Sequence, residues 1–241
     1  MSVLIFQINI GQSTQWDSDI SKDSINNIFI PSVQKYAKKF KYDYQLITES
    51  TYEKEGGDFQ FLSTKEKHYS FERYFHLKQN YDSVVYIDND IYITNNAEPL
   101  PQINGLMNSP EPEGKSSILF RESHKQPTDI KYYNSGVSML DKKTAEHLQN
   151  YMIDRMKNKK RSLGKNSDNM LLNEYILEYP KNFYEISCKW NYMPFLPNSV
   201  KLDHINFFHF VGIIGKKLLK NLLDKNIAPD RAVEELVLKL T

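Results

Sequence analysis

Residues 84–90 read Val-Val-Tyr-Ile-Asp-Asn-Asp, an apolar run that ends in two carboxylates two positions apart. Side chains at i and i+2 of an extended chain point to the same side, so Asp88 and Asp90 offer two carboxylates to one point. A short continuous apolar run of this kind reads as an interior strand of a parallel sheet. Open α/β sheets bind ligands at the C-terminal ends of such strands. Two carboxylates there suit a hard divalent cation, Mg²⁺ or Mn²⁺, which can in turn hold a diphosphate. The competing reading is a strand-end turn capped by Asp. Spacing alone does not decide, because 15 Asp in 241 residues give about one Asp-x-Asp by chance. Asp17-Ser18-Asp19 is a second such pair, and it follows a polar run with no strand leading into it.

Three further segments carry polar groups in suggestive settings. Tyr132-Tyr133-Asn134-Ser135-Gly136-Val137 puts a polar pair and a glycine at a strand start, where the backbone can approach a ligand closely or simply turn. Asn166-Ser167-Asp168-Asn169 leads into the helical pattern MLLNEYIL, and by itself Asp168 reads as a helix N-cap and nothing more. His209-Phe210-Val211-Gly212 is followed by Gly215-Lys216-Lys217 and another helical pattern. A His in apolar surroundings is often structural, whereas two lysines at a helix start make a phosphate site, since helix N-terminal N–H groups attract anions.

The elements that must position these groups alternate. Val3–Ile10 reads as a first strand, 24–40 as a helix, Tyr42–Thr48 as a second strand, and Tyr69–Lys78 has helical apolar spacing before the 84–87 strand. Glu49–Thr64 and Ala97–Lys115 read as loops, and Ser117–Arg121, Asn134–Leu140 and Asn182–Ser187 as strands. Helices are expected at Lys142–Lys157, at Asp168–Leu177 and from Pro229. This β-α-β-α-β order predicts an α/β fold, a mainly parallel sheet flanked by helices.

Composition narrows the classes. Lys+Arg 31 against Asp+Glu 30 leaves a net charge of +1, which argues against a nucleic-acid binder held by bulk charge. The single Cys188 excludes an internal disulfide framework. No stretch approaches the about 18–20 apolar residues that span a bilayer, and the N-terminus lacks the basic leader of a signal peptide, so a soluble cytoplasmic protein is expected. The basic run Lys157–Lys165 reads as a solvated loop, or as a lid or patch for an anionic acceptor or a peripheral membrane contact. Trp16, Trp190 and Tyr192 are candidate platforms for stacking on a ligand ring.

The segments YIDND, YNSGV, SDNMLLN and HFVGIIGKK, in this order, resemble the nucleotide-sugar glycosyltransferases of GT-A fold. The resemblance is strongest to the retaining glycogenin and lipopolysaccharide galactosyltransferase family (family 8), and extends to small viral glycosyltransferases of related fold. It implies Asp88, Asp90 and His209 as metal ligands for Mn²⁺ or Mg²⁺, with Asp88 also near the ribose. It implies Asn134, Asp168 and Asn169 around the donor sugar, where Asn169 stands in place of the family's Gln. Arg73 is the implied donor contact before the D-x-D, with Lys65 and Lys67 in reserve. Gln7, Ile8, Asn9, Asn89 and Gly212 would flank the nucleotide. The family's diphosphate lysine falls one residue late, at Lys216 or Lys217.

The resulting expectation is one GT-A-like domain over 1–241, with 1–95 as the nucleotide half and 96–241 as the acceptor and donor-sugar half. It would transfer a hexose from a UDP-sugar, glucose or galactose favoured by the resemblance, to a glycan or glycoconjugate hydroxyl with retention. The alternatives are a non-catalytic sugar-nucleotide-binding module and a HAD-type phosphatase. Against the latter, Tyr92 occupies the Thr/Val position of D-x-D-x-[TV].

Overall fold

The computed structural model describes residues 1–10, 25–55, 69–158, 167–196, 202–210, 217, 219–221 and 229–240. Six strands form one sheet in the order β2-β1-β3-β6-β5-β7. They are β1 (Val3–Ile8), β2 (Asp43–Ile47), β3 (Ser83–Ile87), β5 (Leu106–Asn108), β6 (Val137–Asp141) and β7 (Phe183–Glu185). β1 pairs parallel with both β2 and β3, and β5 pairs parallel with β7. β6 runs antiparallel to β3 and to β5, which makes the sheet mixed but mainly parallel. A separate two-stranded ribbon joins β4 (Ile91–Ile93) to β8 (Phe207–His209).

The central strands are buried on both faces, as their unbroken apolar runs require. Leu4, Phe6, Val84 and Tyr86 face a core built with the 3₁₀ segment Tyr69–His76 and two helices, Lys142–Asn158 and Ser167–Glu178. Val3, Ile5, Val85 and Ile87 face the other way, against the helix Ile30–Phe40. In chain order the helices are α1 (Ile30–Phe40), α2 (Thr51–Lys54), α3 (Lys115–His124), α4 (Lys142–Asn158), α5 (Ser167–Glu178) and α6 (Pro229–Leu240). α6 packs through Val233 and Leu236 on a third cluster with Tyr92 and Phe208 of the ribbon and the adjoining Phe210. No helix among the described residues is long and apolar enough to cross a membrane.

Local readings of the sequence needed several corrections. Ser117–Arg121 is not a strand but the middle of α3. Its buried residues Ser117, Phe120 and Arg121 recur at helical spacing, leaving Ile118 and Leu119 exposed. The Ser117 hydroxyl also accepts the Gly114 N–H at 3.0 Å, closing the helix start. The expected loop 97–115 contains β5, only three residues long and entered through Gly105 at φ 67°. The expected loop 49–64 holds α2, whose N-cap Ser50 accepts the Glu53 N–H at 3.0 Å. The strand expected from Asn134 starts at Val137, so Asn134 to Gly136 form its approach rather than part of its ladder. The helical spacing read over 69–78 is realised as a 3₁₀ helix at Tyr69–His76.

Candidate metal and sugar-nucleotide site

Asp88 follows β3 directly and, by strand alternation, shares the side of Tyr86, whose hydroxyl donates to Asp88 Oδ1 at 2.5 Å. The Gly136 carbonyl accepts the Asp88 N–H at 2.8 Å, so the start of β6 holds the end of β3. Asp90 leads into β4, and β8 lies antiparallel to β4 with Ile91 opposite His209. The Phe210 N–H donates to the Asp90 carbonyl at 2.9 Å. The ribbon thus carries His209 from far along the chain to the side of Asp90, with Nε2 3.1 Å from Asp90 Oδ1.

Asp88, Asp90 and His209 each present one ligand atom, and these atoms lie within 4.8 Å of one another. Two carboxylate oxygens and one imidazole nitrogen form a donor set that Mn²⁺ accepts readily and Mg²⁺ tolerates. The fit is tested by the glycine beside it. A Cβ on Gly136 would lie 2.6 Å from His209 Cε1 and 3.0 Å from Asp88 Oδ2, so only a glycine lets these ligands converge. The Asp88 carboxyl is enclosed deeply enough that burial pushes its pKa above the usual carboxylate range, with Arg73 pulling it down and Asp90 pushing it up. A divalent cation would relieve that unfavourable pairing of negative groups.

Arg73, on the 3₁₀ segment, is only 3% exposed along its side chain and spends its fork within the protein. Nε donates to the Ser70 carbonyl, Nη1 to the Ser135 carbonyl at 2.7 Å, and Nη2 to Asp168 Oδ2 at 2.5 Å. The guanidinium lies 4.2 Å over the Tyr86 ring and 4.0 Å from Asp88 Oδ1. Burial alone would lower its pKa, but Tyr86, Asp168 and Asp88 outweigh burial and keep it charged. One side chain therefore ties the Asp88 strand end to the 134–136 segment and to α5.

The first turn of α5 clamps the same segment. Asp168 lies inside this first turn rather than at its N-cap; it takes Arg73 and stands 3.4 Å from the Ser135 hydroxyl. Asn169 Oδ1 accepts the Ser135 N–H at 2.9 Å. Asn173, one turn on, donates to the Tyr133 carbonyl and accepts the Tyr133 N–H, both at 2.8 Å. Asn134 is buried; its Oδ1 accepts the Gly136 N–H at 2.8 Å and the Asn191 amide at 3.0 Å, while its Nδ2 donates to Glu111 at 3.1 Å.

The nucleotide-side candidates lie at the ends of β1 and β3. Gln7 is fully buried, donating to the Asp88 carbonyl at 3.3 Å and accepting from the Tyr44 hydroxyl at 2.9 Å. Ile8 gives its carbonyl to the Asn89 amide, and Asn9 donates to Asn26 at 3.2 Å. Asn89 Oδ1 is buried and meets no hydrogen-bond partner among the described residues. Lys217 is exposed. Gly212, Lys216, Lys65, Lys67, Trp16, the Asp17–Asp19 pair and residues 159–165 of the basic run lie outside the described residues. Trp190 and Tyr192 are core: Trp190 packs edge-on against Phe207 at 5.3 Å and Tyr192 against Phe208 at 6.0 Å. Neither is a platform for a sugar.

Sequence reasoning missed Glu111, Asn173 and Asn191. Burial raises the Glu111 pKa, with the Asn134 hydrogen bond opposing it. Asn191 accepts at His209 Nδ1, 2.8 Å away. Asn191 carries no signal in the sequence beyond its place after Trp190. Glu111 and Asn173 had none, because each acts through a backbone or amide partner remote in sequence.

No protein-family profile and no curated protein matches the chain. Among solved structures, it is similar to a glycosyltransferase involved in the glycosylation of the major capsid of PBCV-1. That match has a TM-score of 0.56 at 12% identity, over 90% of this chain and 98% of the other. It is also similar to the galactosyltransferase LgtC, solved in complex with donor and acceptor sugar analogs, at a TM-score of 0.54 and 15% identity over 87% of each chain. At these identities the likeness is one of fold, and that fold is GT-A.

Proposed function

We propose that this protein is a metal-dependent glycosyltransferase that moves a hexose from a UDP-sugar to a hydroxyl of a glycan or glycoconjugate, with retention of configuration. The observation that carries the reading is the convergence of Asp88, Asp90 and His209 at the C-terminal end of a central strand in a GT-A fold. Bound there, Mn²⁺ or Mg²⁺ supplies Lewis-acid stabilisation of charge on the departing diphosphate. Asp88, Asp90 and His209 hold it, and Gly136 leaves the room for them to do so.

The remaining roles fall to this chain's own groups. Arg73 keeps a positive charge beneath Asp88 and holds Asp168 and the 134–136 segment in register. Asp168, Asn169 and Asn134 line the donor-sugar side, with Gln7, Ile8, Asn9, Asn89 and Gly212 toward the nucleotide. Lys216 or Lys217 meets the diphosphate, where a fixed cation matters most as the phosphate leaves. Residues 1–95 then serve as the nucleotide half and 96–241 as the sugar and acceptor half of one domain.

The test is calorimetry of UDP with Mn²⁺, with EDTA, and with the Asp90→Asn variant. UDP affinity is expected to collapse with EDTA and with Asp90→Asn while the melting temperature of the metal-free variant stays near that of the wild type. Metal-independent UDP binding overturns the metal assignment. Metal-dependent UDP binding without sugar transfer to any acceptor, across a donor screen, would leave a sugar-nucleotide-binding module instead.

A further inference from the structure

Behind His209 runs a chain of buried amides whose direction is set by a group that can only donate. The Gly136 N–H meets one terminal atom of Asn134 at 2.8 Å, so that atom is the carbonyl oxygen. The other terminal atom is then the nitrogen, in agreement with its 3.1 Å contact to the Glu111 carboxylate. An amide oxygen accepts and cannot donate, so the Asn191 atom 3.0 Å from Asn134 Oδ1 is also a nitrogen. Asn191 must therefore turn its oxygen to His209 Nδ1, 2.8 Å away. An acceptor at that distance requires a proton on Nδ1, and Nε2 is the ring nitrogen left facing Asp90.

We infer that Asn191 is a positioning residue: anchored through Asn134 on the Gly136 backbone N–H, it holds His209 with Nδ1 protonated and Nε2 directed at the Asp88–Asp90 carboxylates. Asn134, Asn191 and His209 are all buried, so no step of this chain can reverse without setting acceptor against acceptor or donor against donor away from water. A histidine that ligates a metal through one nitrogen is oriented by the partner of the other. The inference rests on the metal reading of the Asp88, Asp90 and His209 cluster, and it assigns the residue that sets the ligand's orientation.

The test uses the full chain labelled with ¹⁵N-histidine, metal-free and loaded with Cd²⁺ as a diamagnetic probe. Long-range ¹H–¹⁵N correlation spectra are assigned to His209 by comparison with His209→Gln. Nδ1 is expected to carry its proton in both states. Asn191→Asp is expected to keep that proton, because a carboxylate also accepts from Nδ1, and to lower stability, because its second oxygen meets the Asn134 acceptor. Asn191→Leu is expected to lose the fixed Nδ1 signal and to weaken Mn²⁺ binding, read from the free-ion EPR signal, about ten- to a hundred-fold. The inference is overturned by a bare Nδ1 in the wild type, or by a folded Asn191→Leu with wild-type Nδ1 signal and Mn²⁺ affinity within twofold. If Asn191→Leu does not fold, the Asp variant decides: loss of the Nδ1 proton there overturns the inference. If the wild type takes up neither metal, the metal reading falls by itself, and the metal-free spectrum still reports on Nδ1.

Discussion

Adding one methyl group at Gly136 should damage the site more than the fold. The Cβ of Gly136→Ala would lie 2.6 Å from His209 Cε1, 2.8 Å from Asn134 Oδ1 and 3.0 Å from Asp88 Oδ2. None of the three is the loose end of a flexible chain. His209 is held by Asn191, Asn134 by Gly136 and Glu111, and Asp88 by Tyr86. The imidazole must retreat by about 0.8 Å to regain ordinary van der Waals contact, whereas metal–ligand distances are held to about 0.2 Å. Overpacking of a tight interior costs about 1–3 kcal/mol. For a chain of this size each kcal/mol lowers Tm by about 2–4 °C. The more specific effect is on metal-linked stability. At Mn²⁺ a hundred times its Kd the wild type gains about 2.7 kcal/mol, and a tenfold weaker variant gains about 1.4 kcal/mol. Thermal denaturation of both proteins with Mn²⁺ and with EDTA separates the two effects. An alanine variant with an unchanged Mn²⁺-induced shift would refute the claim that Gly136 exists to let the ligands converge.

Other outcomes follow from neighbouring groups. Arg73→Met strands the mostly buried Asp168 carboxylate without its partner and should cost about 3–5 kcal/mol in urea unfolding; a loss below about 1 kcal/mol would show that the tie is dispensable. Glu72 sits below the ordinary carboxylate pKa of 4.5: burial pushes it up, but hydrogen bonds from His76, Ser50 and the Thr51 N–H prevail. A lowered folded-state pKa stabilises above the unfolded value and is lost as pH falls through the folded one. The Tm advantage of wild type over Glu72→Gln should therefore be full at neutral pH and shrink below about pH 4.5; a constant difference would contradict the assignment. An α-linked UDP-sugar should give an α-linked first product, read by proton NMR before anomers equilibrate, and a β-linked product would confine the family resemblance to fold and metal site.

What the residue pattern alone determined was local or periodic. The apolar run Val84–Ile87 read as an interior strand, and period-two geometry then put Asp88 and Asp90 on one side at its end. The glycine of Asn134-Ser135-Gly136 announced a close approach, which proved to be between backbone and the candidate metal ligands. Short elements were illegible for a physical reason: three-residue strands such as β5 and β8 have too few residues for periodicity and exist only because partner strands complete their hydrogen bonds. The Ser117–Arg121 run shows the converse, an apolar stretch whose exposure on a helix no local rule foretold. Tertiary structure alone decided which groups meet. His209 reaches Asp90 because β8 pairs with β4, and Arg73 joins Asp168 because α5 and the 3₁₀ segment pack on the same face of the sheet. The amide chain from Gly136 through Asn134 and Asn191 to His209 joins separate segments by directional hydrogen bonds. Such bonds depend on donor and acceptor placement to within tenths of an ångström, which residue spacing does not encode and packing does.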